Sequence, residues 1–103
     1  MLTDTSGIRH LARQLRERAQ EIRAEGARLQ RLGDGIPWRG RAADAMRAQL
    51  AVRLATLGAC AGLHDDAAEA LERHAGAVDA VVAVGGAVTD TVGDLVHDAR
   101  SLL

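Results

Sequence analysis

Gly33-Asp34-Gly35-Ile36-Pro37-Trp38-Arg39-Gly40-Arg41-Ala42-Ala43-Asp44 holds the only proline and the only aromatic residue of the 103-residue chain. It divides two long segments that read as helices, and the fold follows from that division. Glycines 33 and 35 offer C-cap conformations, and Pro37 cannot continue a helix. Asp44 falls in the first turn of the next segment, where a negative charge complements the helix dipole. Gly40 is expected to let the backbone pass close beneath Trp38, and Ala42, Ala43 and Ala45 to open the following helix without bulk. A tryptophan at such a tip suits capping the hairpin end or filling a groove on a partner.

Upstream of the turn, Thr3, Asp4, Thr5 and Ser6 are candidate N-caps. Ile8, Leu15, Ile22 and Leu29 then recur every seven residues, and four residues after each comes a small one: Ala12, Ala19, Gly26, Gly33. Such a stripe admits a neighbouring helix at close range, with Leu11 and Leu32 widening it. It predicts a first helix over 6–33. After the turn (34–40), Ala43, Leu50, Leu57, His64, Leu71 and Val78 keep the same spacing, flanked by Met46, Leu54, Ala61, Ala68, Ala75 and Val82. This predicts a second helix running continuously over 41–84, weakened by Gly58 and Gly62, with a bend at 62–66 left open as the alternative. Gly85-Gly86 predicts a break. A separate tail helix over 87–102 follows, because Val88, Val92, Leu95, Ala99 and Leu102 step 4-3-4-3 with Asp90, Asp94 and Asp98 opposite. That acidic spacing argues against a valine-rich strand over 78–92. The fold class is all-α: one helical hairpin, a long second helix and an amphipathic C-terminal helix.

At 1.5 Å per residue the first helix is ~42 Å long and the second ~66 Å, so the second overhangs by more than ~20 Å. Hydrophobic residues make up 48% of the sequence, yet there is no Phe or Tyr and only one Trp. A short chain filled with small apolar side chains buries little surface alone, and oligomerisation is the usual remedy. Ile8, Leu15, Ile22, Leu29, Leu50 and Leu57 are the expected dimer face, and a homodimer is expected first. Charge points the same way. Residues 1–53 carry eleven arginines against six acids, and residues 54–103 two arginines against eight acids. This asymmetry can steer antiparallel association, within the chain or with a partner.

Enzyme chemistry finds no support. His10, His64, His74 and His97 lack metal-ligand spacing, Ser6 and Ser101 sit near opposite ends, and Gly33-Asp34-Gly35 lacks the lysine of a phosphate loop. No cofactor or metal is implied. Cys60 is alone, so there is no disulfide framework. Arginines of the first helix alternate with Glu17, Glu21 and Glu25, a mixed face rather than a nucleic-acid stripe. No signal-peptide h-region is present, and the Ala80–Val88 apolar run is too short for stable membrane insertion. The acidic polar face of the tail has the wrong sign for anionic lipid.

Trp38-Arg39-Gly40 at mid-chain, the Ala42-Ala43-x-Ala45 after it, two flanking helices and the overall length resemble the WXG (Trp-x-Gly) family. These are small type VII secretion substrates, similar to the early secreted antigens. Asp66 to Ala75 also look like the later second helix of actinobacterial members, and the resemblance covers residues 6–80. It implies a hairpin that pairs antiparallel with a second copy or a related W-x-G chain into a four-helix bundle. It further implies export without a cleaved signal peptide and recognition by a membrane-bound FtsK/SpoIIIE-type ATPase. One feature departs from the pattern. The family's Tyr-x-x-x-Asp/Glu export signal cannot be present without tyrosine; His74 stands in its place, and four residues later comes Val78. Either a partner supplies the signal or the chain is not exported alone. Val88, Val92 and Leu95 are the expected export or docking residues of the tail. The competing class is a cytoplasmic helical adaptor, or the free-standing N-terminal module of a toxin system.

Overall fold

In a computed structural model, which describes residues 4–102, the chain is two antiparallel helices and the described residues contain no strand. Helix α1 spans Ser6–Asp34 and helix α2 spans Arg41–Ser101. The all-α hairpin read from the heptad spacing is the fold.

α2 corrects the division of the second half. It runs unbroken through Gly85-Gly86, so the tail is not a separate helix. The molecule measures 95 × 15 × 15 Å along its principal axes. A straight helix of 61 residues is ~92 Å long, which leaves no room for a sharp bend at Gly62 to Asp66. Glycine in a helix interior costs about 1 kcal/mol relative to alanine, a local weakening that does not end a helix by itself. Ending one takes a proline, or a residue leaving helical φ/ψ. Pro37 lies before α2, and Gly40 is the only positive-φ residue among those described.

The contact between the helices is built from small residues. Ala12 and Ala19 on α1 and Ala61, Ala68 and Ala75 on α2 are fully excluded from solvent, and Ala43 and Gly33 are buried beside them. Ile8, Leu15, Ile22, Leu29, Leu50, Leu57, Leu71 and Val78 are half-buried around them. Among the described residues no large side chain is fully buried. The glycines differ among themselves. A Cβ at Gly26 would sit 3.8 Å from Leu54 in ordinary contact, whereas one at Gly33 would fall 2.3 Å from Cδ2 of Leu50.

Register is fixed by three interhelical ion pairs: Arg9–Asp79 at 2.6 Å, Arg16–Glu72 at 2.9 Å and Arg23–Asp65 at 2.7 Å. Each step of seven along α1 is matched by seven back along α2. The basic first half and acidic second half of the sequence therefore meet inside one chain. At the open end Thr5 is buried but does not cap α1. Its hydroxyl donates to Asp79 Oδ1 (2.9 Å) and accepts from Arg9. Asp4 accepts from the Ser6 amide instead (2.9 Å). Thr3, the remaining candidate cap, lies outside the described residues. Arg9 and Thr5 hold the Asp79 carboxyl below the usual carboxylate range, and Arg16 does the same for Glu72.

Candidate functional site

The hairpin tip is held by its own backbone and by one arginine. Gly35 N–H donates to Arg31 O (3.0 Å), Ile36 N–H to Gly33 O (3.3 Å), and Asp44 N–H to Gly40 O (3.0 Å). Arg47 Nη2 then donates to Ile36 O at 3.0 Å and to Trp38 O at 2.8 Å, clasping the turn from the first turns of α2. Sequence reasoning passed over Arg47. Its signal is positional: it occupies the column of Leu54, Ala61, Ala68, Ala75 and Val82, where every other residue is apolar.

Clasped in this way, the turn presents Trp38 outward with 61% of its surface exposed. The indole is neither a core residue nor a plug for its own hairpin. Gly40 has φ 101° and ψ −173°, a conformation open in practice only to glycine. A Cβ there would meet nothing within 4 Å, so the glycine serves the backbone angle and not a close approach beneath Trp38. The expected reason for Gly40 is corrected; its place in the motif stands on conformation.

The six residues expected on a dimer face, Ile8, Leu15, Ile22, Leu29, Leu50 and Leu57, are half-buried between α1 and α2. Much of their surface is spent inside the hairpin. A shallow apolar groove beside them, lined by Leu29, Val52, Thr56 and Leu57, remains open on one flank.

Among the described residues, α2 continues past the Thr5 end of α1. From Ala80 to Leu102 every residue is exposed. Val88, Val92 and Leu95, the expected docking residues, are 57%, 53% and 63% exposed and share this overhang with Val81, Val84 and Val96. By length and composition alone α2 is apolar enough to cross a membrane. Its uncharged run from Ala80 to Thr89 covers only ~15 Å of a ~30 Å hydrocarbon core. Asp90, Asp94 and Asp98 follow, and an aspartate at a bilayer centre costs about 2.5–3.5 kcal/mol. The overhang is an amphipathic face with an acidic back.

Among the described residues, no group of three His, Cys, Asp or Glu side chains could hold a metal ion. His64, which interrupts the stripe, lies with Nδ1 2.8 Å from Cys60 O, a geometry in which the ring donates to the carbonyl of the preceding turn.

Residues 2–97 match a family described as "Putative T7SS secretion signal domain". The chain belongs to that family. No curated protein and no solved structure matches it. The T7SS signal domain takes in the whole hairpin, the Trp38 tip and the overhang through Val88, Val92 and Leu95. Membership supports a type VII secretion substrate.

Proposed function

We propose that this signal domain acts purely by helix–helix recognition, as an export partner of the WXG kind that is handed to the type VII machinery as a folded rod. It has no catalytic role. The observation that carries the reading is the combination of an alanine-layered hairpin with two uncovered elements, the Trp38 tip and the 80–102 overhang. A chain selected only to fold would not leave the eight valines and leucines of this overhang and its single tryptophan in water.

In this reading the half-exposed flank at Leu29, Val52 and Leu57 meets a second hairpin, from a second copy or a related W-x-G chain, to complete a four-helix bundle. Trp38, fixed by Arg47 and Gly40, is the aromatic anchor for that partner or for an FtsK/SpoIIIE-type ATPase. Val88, Val92 and Leu95 stand in for the missing tyrosine signal. The chain passes through the type VII system without a cleaved signal peptide and without stable membrane insertion.

Deleting residues 87–103 tests this. Because α1 covers nothing beyond Val82, the truncated protein is expected to keep the cooperative thermal transition of the hairpin. Its export from a type VII-competent host, read by immunoblot of culture filtrate, is expected to fall at least tenfold. Undiminished export would remove the overhang from the signal. Loss of the thermal transition would mean that the segment belongs to the hairpin core.

A further inference from the structure

Arg47 breaks the pattern of its own column. Steps of seven from it along α2 reach Leu54, Ala61, Ala68, Ala75 and Val82, and the three alanines are the close-packed layer against α1. A leucine at 47 would extend that seam. The guanidinium that stands there is half-buried, yet it takes part in no ion pair among the described residues. Asp44 lines the same cleft at the tip and lies three residues before it, the spacing of a helical ion pair. Arg47 passes over that carboxylate and donates to Ile36 O and Trp38 O. A residue that departs from the local rule without adding to the packing is expected where function, not folding, sets the choice.

We propose that Arg47 is a positioning residue for recognition through Trp38, and that it contributes little to the stability of the hairpin. The hydrogen bonds of the turn carry the first half of this. Backbone bonding of the tip stops at Ile36 N–H and resumes at Asp44 N–H, which donates to Gly40 O. Apart from the Arg47 bond to Trp38 O, no hydrogen bond among the described residues reaches Pro37, Trp38 or Arg39. One guanidinium therefore sets the path of 36–38, and with it the base from which the exposed indole stands out. The second half follows from solvation. Ile36, Trp38 and Arg47 line an open cleft, so water replaces the guanidinium when it is removed, and a hydrogen bond exchanged for water is worth little net. For binding the balance is different. An aromatic anchor held in place before contact loses less freedom when a partner closes on it. This inference rests on the reading of Trp38 as the anchor.

The test compares wild type, Arg47→Leu and Trp38→Ala in the full chain. Thermal unfolding by circular dichroism reads the hairpin. Time-resolved fluorescence anisotropy reads the tip of wild type and Arg47→Leu, because Trp38 is the only aromatic residue and so the only indole that emits. Immunoblots of culture filtrate and cell lysate from a type VII-competent host read recognition. Leucine forms helix about as well as arginine and matches its apolar column. Arg47→Leu is therefore expected to keep its thermal midpoint within about 3 °C of wild type, or above it. Its indole should gain amplitude in the fast local motion, and its export should fall at least about tenfold. A midpoint lowered beyond that range would make Arg47 a stabiliser of the hairpin and overturn the proposal. So would an indole as ordered as that of wild type. Full export of Arg47→Leu beside failed export of Trp38→Ala overturns it too, and leaves the anchor reading standing. Full export of Trp38→Ala removes the anchor reading itself, and this inference with it.

Discussion

Helix α2 is one helix with two careers. From Ala43 to Asp79 it lies against α1; from Ala80 to Leu102 it is exposed along its length among the described residues. Both stretches keep the 4-3 apolar step, but they fill it differently. The covered stretch places Ala61, Ala68 and Ala75 at the points of closest approach and sets Asp65, Glu72 and Asp79 to meet arginines. The uncovered stretch carries valines and leucines, with its acids turned to the back. Small residues let two helices approach until backbone packs on backbone, at the expense of buried area per residue.

The sharpest way to break that contrast is to put the same leucine in both halves. Ala68→Leu adds bulk where the side chain is fully excluded from solvent, and overpacking a tight layer typically costs 1–3 kcal/mol. Ala83→Leu adds the same bulk on the overhang, where substitutions usually stay within about 0.5 kcal/mol. Urea unfolding followed by circular dichroism is expected to show a lowered midpoint for the first and an unchanged one for the second. Equal effects would mean that the alanine layer is not close-packed.

A second comparison sets one glycine against another. Gly40→Ala forces a β-carbon into φ 101°, and holding a residue in such a region costs on the order of 1–3 kcal/mol. Gly86→Ala, in open helical backbone, is expected to stabilise α2 by about 0.4–1 kcal/mol. The two variants should move the urea midpoint in opposite directions. A neutral Gly40→Ala would show that the turn relaxes to another conformation and that the W-x-G glycine is not conformational.

Much of this was legible in the sequence, for a physical reason: heptad spacing reports which face of a helix is covered. Ala12 and Ala19 were read as close-approach positions and are buried; Ala61, Ala68 and Ala75 were read only as flanking the second stripe, and they form the other side of the same buried layer. The charge asymmetry was legible as a force for antiparallel pairing, but not as an intrachain ladder, because composition says nothing about register. Gly85-Gly86 misled because glycine reports a propensity, and a helix with good formers on both sides outlasts a local penalty. At the tip, Trp38 and Gly40 stood out by rarity, whereas Arg47 did not. One arginine among thirteen is noticed only when its column is compared with its apolar neighbours.

The smallest expected effect is that of acid, and it should fall on the covered half. Asp79 is held below its ordinary value of 3.8 by hydrogen bonds from Arg9 and Thr5, and Glu72 below 4.5 by Arg16. A carboxyl whose pKa is lower in the folded chain binds protons more readily when unfolded. Its contribution is therefore complete above the unfolded pKa and drains away as pH falls through the folded one. The thermal midpoint should be level from neutrality down to the ordinary carboxylate range, then decline below it. Both pairs are largely solvated, so the decline should be gentle and further reduced by salt. Asp79→Asn keeps an acceptor for Thr5 but removes the titrating charge. Its midpoint should start lower at neutral pH and fall less on acidification, while Asp94→Asn on the overhang should track wild type throughout. If Asp79→Asn declined as steeply as wild type, the acid response would come from other carboxylates, and the open end of the hairpin would not depend on the Thr5–Arg9–Asp79 network.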